Sequence, residues 1–188
     1  MSLELKTNPI EENRIIYLGG DFNEEKAKEV VKKLLTFEAK DPTKDILMYI
    51  DSYGGYVHSF LAIHDIMKMM RCDVATVGLG KSMSCGQLLL MSGTKGKRFI
   101  TPNTRVLVHE VSSFTHGKLA NMEIDIKESK ELQKIIEKLI VRYTNITVKK
   151  LKGVMDIDSY FSANQTVELG IADYVITSPS VLYKKIKI

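Results

Sequence analysis

Residues 74–91 read VATVGLGKSMSCGQLLLM, and the fold turns on how that run divides. Val74 to Leu79 is rich in β-branched and apolar residues and stops at glycine, the pattern of a buried strand. Ser84 to Met91 (SCGQLLLM) is too apolar all round for a surface helix, so it predicts a short helix buried on every side. A strand that feeds a buried helix through a few polar residues is half of an α/β unit. The same alternation extends outward in both directions. Upstream, Ile46 to Ile50 (ILMYI) predicts a strand, Asp51-Ser52-Tyr53-Gly54-Gly55 a turn, and residues 56 to 70 a helix. Before that, Arg14 to Leu18 (RIIYL) predicts a strand ending at Gly19-Gly20. From Asn23 to Ala39, Ala27, Val30, Val31, Leu34 and Leu35 recur at helical spacing behind Asn23 as N-cap. Downstream, Arg98 to Ile100 and Arg105 to His109 (RVLVH) supply further strands across Thr101-Pro102-Asn103. Alternating strands and helices predict a layered α/β domain with a largely parallel sheet. Residues 119 to 143 are the longest periodic segment, a helix longer than one small domain needs on its flank, so part of it is expected to project and meet another subunit, the alternative being a long helix packed along the domain.

The chain has 188 residues, enough for one domain with its own core. With 44% hydrophobic and 27% charged residues it has the balance of a globular protein, not a disordered or membrane one. The net charge of +4 is spread along the chain apart from Lys184, Lys185 and Lys187, which gives no footprint for nucleic acid. Cys72 and Cys85 fall in different elements and have no metal-ligand company, so both are read as reduced thiols, and no metal site is expected. Residues 1–13 lack a basic segment followed by an apolar one, and no run is long enough to span a bilayer. The expectation is a cytoplasmic protein.

In an open α/β sheet, reactive groups gather outside the carboxyl ends of the strands. Three places there hold chemistry-bearing residues. Gly54-Gly55 can bring backbone amides close to a ligand. Ser84 opens a buried helix, with its hydroxyl at the positive end of the helix dipole and amides nearby that could hold an oxyanion. Its surroundings read S-x-S-x-G, not the nucleophile-elbow G-x-S-x-G, and Ser82 is the candidate N-cap. His109 ends the RVLVH strand. His58, His64 and His116 are read as structural.

Taken together, RIIYLGG, the D-S-Y-G-G segment, GKSMSCG followed by QLLLMSG, GKRFITPNTRVLVHE, and Asp158-Ser159-Tyr160-Phe161-Ser162-Ala163 followed by ELGIADYV resemble the proteolytic subunit of the Clp protease from Ile15 to Val175. The intervals from Ser84 to His109 and on to Asp158 align with that family without a gap. The resemblance implies the layered fold shared with crotonases, in one domain over residues 1–188, with a projecting handle over about 111–143. It implies a serine endopeptidase with Ser84 as nucleophile, His109 as base and Asp158 as orienting acid. The backbone amides of Gly55 and Cys85 would form its oxyanion hole, and it would need no cofactor. It also implies peptide or unfolded-protein substrates and a homo-oligomer, a heptameric ring that is either single or stacked as a tetradecamer. The AAA+ unfoldase partner of the family is less well implied, because the segment before Arg14 is shorter than the family's pore-gating arm. Departures from the family pattern are Tyr53 for a proline, Val111, Ser113 and Phe114 where a proline and two glycines line the groove, Ser82-Met83 before the nucleophile, and no arginine in Asp156-Ile157-Asp158. A catalytically weak scaffold subunit of a mixed ring and a crotonase-type acyl-CoA enzyme are the alternative readings.

Overall fold

The computed structural model describes residues 12–188; the short N-terminal segment expected over residues 1–13 lies almost wholly outside them. Seven strands form one sheet: β1 (Ile15–Phe22), β2 (Ile46–Gly55), β3 (Val74–Met83), β4 (Arg98–Ile100), β5 (Arg105–Val108), β6 (Ser159–Phe161) and β7 (Tyr174–Val175). The order β1-β2-β3-β4-β7 is parallel throughout. β5 branches from the far end of β3, and β6 pairs antiparallel with β5. The described helices are α1 (Glu24–Lys40), α2 (Val57–Met69), α3 (Cys85–Met91), α4 (Leu119–Tyr143), α5 (Val148–Met155), α6 (Ala163–Glu168) and α7 (Pro179–Tyr183).

The expected strands and helices are present, with one systematic difference. β1, β2 and β3 run further than their apolar cores, so Asp51 to Gly55 is the last part of a strand and not a turn. Both β1–β2 and β2–β3 shift register there, with irregularities between Gly19 and Asp21 and between Ile50 and Ser52. Ser52, fully buried, ties this region together. Its hydroxyl donates to the Gly20 carbonyl and accepts from the Gly54 amide at 3.0 Å.

Asn23 caps α1 as expected, accepting from the Lys26 amide at 2.8 Å. The face of α1 bearing Ala27, Val30, Leu34 and Phe37 packs with α2, α3 and the sheet in the main core. Helix α3 is buried along its whole length. A Cβ on Gly86 would lie 3.0 Å from the Ser52 carbonyl, so only glycine allows α3 to sit this close to β2. Arg98, 1% exposed, anchors the other end of the sheet: it meets Asp173 through Nε at 2.9 Å and Nη2 at 2.6 Å, and donates to the Tyr143 carbonyl at 2.7 Å. One side chain thus joins β4, the turn before β7 and the C-terminal end of α4. On the other side of the sheet, Leu47, Ala75, Val77 and Phe99 are covered by Leu182 and Ile186 from the C-terminal segment.

Candidate active site

The extended ends of β2 and β3 converge where α3 begins. Ser84 occupies the junction with φ 52° and ψ −124°. A non-glycine residue there carries strain, of the order of 1–3 kcal/mol, and a serine forced through a sharp strand-to-helix turn is the geometry of a nucleophile elbow. The motif pattern fails, yet the backbone adopts the conformation. Although Ser84 stands at the N-cap position of α3, its hydroxyl makes no capping bond. Ser82, the cap candidate from sequence, is instead buried within β3 with its hydroxyl towards the Ile50 carbonyl at 3.5 Å. Alternation along the strand turns it into the core.

Gly54 makes the elbow possible. It has φ +111°, and a Cβ there would stand 2.6 Å from the Ser84 Cβ and 3.0 Å from the Cys85 amide. Gly55 follows at φ +144°. The ladder bond to β1 at this point comes from the Tyr56 amide to the Phe22 carbonyl, at 2.9 Å. Successive N–H groups of a strand point to opposite edges, so the Gly55 amide faces away from β1. The Cys85 amide is in the first turn of α3, where backbone donors have no partner within the helix. Cys85 itself is no rival nucleophile. Burial pushes its thiol up to about 11, and its Sγ donates to the Gly55 carbonyl at 3.2 Å.

His109 arrives from β5, which pairs with β3 so that Met83 lies opposite Leu107, and the Ser84 amide donates to the Leu107 carbonyl at 3.0 Å. Ser84, His109, Gly55 and Cys85 line one cavity of about 50 Å³. Asp158 approaches by the antiparallel pairing of β5 with β6. The pairs Val106–Phe161, Leu107–Tyr160 and Val108–Ser159 set a register whose next step puts Asp158 opposite His109. Asp158 is exposed and does not line the cavity. Among the described residues neither its carboxylate nor the His109 imidazole makes a hydrogen bond. The fold therefore brings four of the five expected site residues to one cavity and sets the fifth beside it, with the hydrogen-bonded line open in the single chain.

The remaining histidines do not line this cavity. His64 is buried between Phe60 and Tyr143, with Nδ1 2.7 Å from the Ser92 hydroxyl, and burial followed by the nearby Lys68 charge lowers it to about 4, so it is neutral. His58 and His116 are exposed. Sequence reasoning missed Gln87, which also lines the cavity, and the closeness of Gly54 to Ser84. The consecutive glycines were the only signal for the latter.

Comparison with known proteins points to one family. A family model described as Clp protease matches residues 4–179. The ATP-dependent Clp protease proteolytic subunit 1 of Corynebacterium jeikeium (strain K411) is 41% identical over 165 residues, covering 88% of this chain and 88% of the relative. Proteolytic subunit 2 of Corynebacterium diphtheriae is 39% identical over 165 residues, 88% of this chain and 83% of the relative. Proteolytic subunit 2 of Bifidobacterium longum (strain NCC 2705) is 35% identical over 175 residues, 93% of this chain and 84% of the relative.

Proposed function

The chain belongs to the Clp protease family, and from that premise we propose that Ser84, His109 and Asp158 carry out its serine endopeptidase chemistry. The protein is a serine-type peptidase subunit of an oligomeric assembly. Neither the silent-subunit reading nor the acyl-CoA reading is favoured by relatives named as proteolytic subunits. The observation that carries the assignment is the strained, uncapped Ser84 sharing a cavity with His109.

In the proposed reaction the Ser84 hydroxyl attacks a peptide carbonyl while His109 takes its proton. His109 then returns that proton to the leaving amine as the C–N bond breaks, and water releases the acyl group by the same steps. Asp158 accepts from the far imidazole nitrogen and holds the ring in the required tautomer. The amides of Gly55 and Cys85 receive the negative charge that develops on the carbonyl oxygen, and a donor in that role is typically worth about 3 kcal/mol of transition-state stabilisation. Peptides or unfolded chains are the proposed substrates, entering a heptameric ring that stacks as a tetradecamer. An ATP-driven unfoldase that feeds the ring is a further proposed partner, as the name ATP-dependent Clp protease of the relatives suggests. A cytoplasmic location suits the two buried free thiols, Cys72 and Cys85, and among the described residues no helix is long and apolar enough to cross a membrane.

Native mass measurement combined with peptide hydrolysis tests this assignment. The expected result is a ring-sized particle whose hydrolysis of a quenched-fluorescence peptide falls at least about 10³-fold in Ser84→Ala. Undiminished cleavage by that variant would refute the role of Ser84.

A further inference from the structure

Helix α3 holds a polar side chain that neither its packing nor the proposed reaction uses. Gln87 is 1% exposed in a helix whose next residues, Leu88 to Met91, are all buried and apolar. Its one hydrogen bond is from Nε2 to the Met91 sulfur at 3.5 Å, a weak acceptor on the same helix. The amide oxygen has no hydrogen-bond partner among the described residues. Yet no side-chain nitrogen or oxygen among those residues is both shut off from solvent and unpartnered. The trace of surface that Gln87 retains therefore includes this oxygen. The cavity that Gln87 lines is the one in front of Ser84, and a residue three positions after Ser84 lies on the same side of the helix. Buried amides are nearly always satisfied, by the protein, by ordered water or by a ligand that takes the water's place. An unpaired acceptor on a residue that lines this cavity leaves a place for a ligand that donates to it.

We propose that Gln87 selects the residue on the acyl side of the cleaved bond, favouring a short side chain that ends in a hydrogen-bond donor over its aliphatic isostere. The inference rests on Ser84 being the nucleophile, since the acyl carbonyl then sits at its hydroxyl and the adjacent side chain enters this cavity. Val57, Leu88, Ile136 and Ile140 give the space an apolar wall, with the exposed Glu110 and Ser112 at its edge, and Gln87 is its buried polar side chain. A cavity of about 50 Å³ holds roughly three or four water-sized atoms. Asparagine, threonine and serine fit it, whereas aromatic and long basic side chains do not. A pocket with a buried acceptor discriminates against an isostere without the donor, because that isostere leaves the acceptor unpaired.

The test is cleavage of fluorogenic peptides that differ only at that position, in the pairs Asn against Leu and Thr against Val, by the assembled wild-type protein and by Gln87→Met. Wild type should prefer the polar member of each pair in kcat/KM by at least about tenfold, and Gln87→Met should reverse the order. Equal or aliphatic-preferring cleavage by wild type overturns the inference without any variant, as does a polar preference that survives in Gln87→Met. Labelling by a fluorophosphonate, which carries no such side chain, reports separately on the serine. If wild type takes no label at Ser84, the serine assignment fails and the inference falls with it. If it labels and shows no polar preference, only the role of Gln87 is refuted.

Discussion

Ser84 pays for its position in backbone strain, and that strain is measurable. Ser84→Gly removes the penalty of a positive φ, which outweighs the greater chain entropy lost by glycine. The expected outcome is stabilisation of about 1 kcal/mol, a rise of roughly 2–4 °C in the thermal midpoint, together with complete loss of peptide hydrolysis. Ser84→Ala should lose activity without that rise. Gly54 is the complementary position. In Gly54→Ala the new Cβ would press on the Ser84 Cβ from 2.6 Å, costing about 2–4 kcal/mol in strain and overpacking and lowering kcat by about 10²-fold through displacement of the nucleophile. Gly96→Ala is the control: its φ is +85° but nothing lies near its Cβ, so it should cost about 1 kcal/mol and leave hydrolysis unchanged. Denaturation curves and steady-state kinetics on the same preparations separate these outcomes. Ser84 and His109 were legible as candidates from residue order, because one opens a buried helix and the other follows a strand whose limits hydrophobic pattern defines; Asp158 came only with the family resemblance. The elbow conformation was not readable. It depends on Gly54 from another strand, and nothing local to S-M-S-C-G encodes it.

Among the elements, the helices were the more legible and the strand ends the less. Residues 119 to 143 form α4 as expected, since twenty-five residues of unbroken helical periodicity leave no competing reading. The ends of β2 and β3 carry Asp51, Ser52, Lys81 and Ser82, whose composition reads as a turn. They stay in strand because the sheet supplies partners, among them the Lys81–Asp51 ion pair at 2.7 Å. Local preference gives way where a site is built. The packing of α2, α3 and α4 also contains a group that resists protonation. His64 is held neutral with a folded value of about 4, against about 6.5 in the unfolded chain. Its contribution is fully present above pH 6.5, declines as pH falls and is lost on passing below the folded value. Stability should therefore drop by up to about 3 kcal/mol between pH 6.5 and 4, and His64→Phe should flatten that part of the profile. A denaturation series across this range that has the same slope in both proteins would contradict it.

At the scale of the molecule, the surface is that of a subunit. Only Ile136 and Ile140 of α4 are buried, while Leu119 and Ile124 are 78% and 65% exposed. A helix of this length spans about 37 Å, and its first half extends apolar side chains beyond the domain that carries it. Exposed apolar surface of this kind marks a contact with another chain. Leu119→Glu with Ile124→Glu should move the native mass distribution to smaller species and reduce hydrolysis per chain, with the fold of the subunit retained by circular dichroism. Under the proposed assignment, Asp158 ties assembly to chemistry. It stands opposite His109 by register yet faces solvent in the single chain, beside Ile157 at 70% exposed. Contacts that cover this edge would also turn the carboxylate inward. An experimental structure of the assembled, peptide-hydrolysing particle with a fluorophosphonate bound at Ser84 tests that most directly. The His109 ring should be hydrogen-bonded at one nitrogen to the Asp158 carboxylate and aimed with the other at the serine oxygen. A reacted Ser84 with Asp158 still directed to solvent, or with His109 turned out of the cavity, would contradict the assignment.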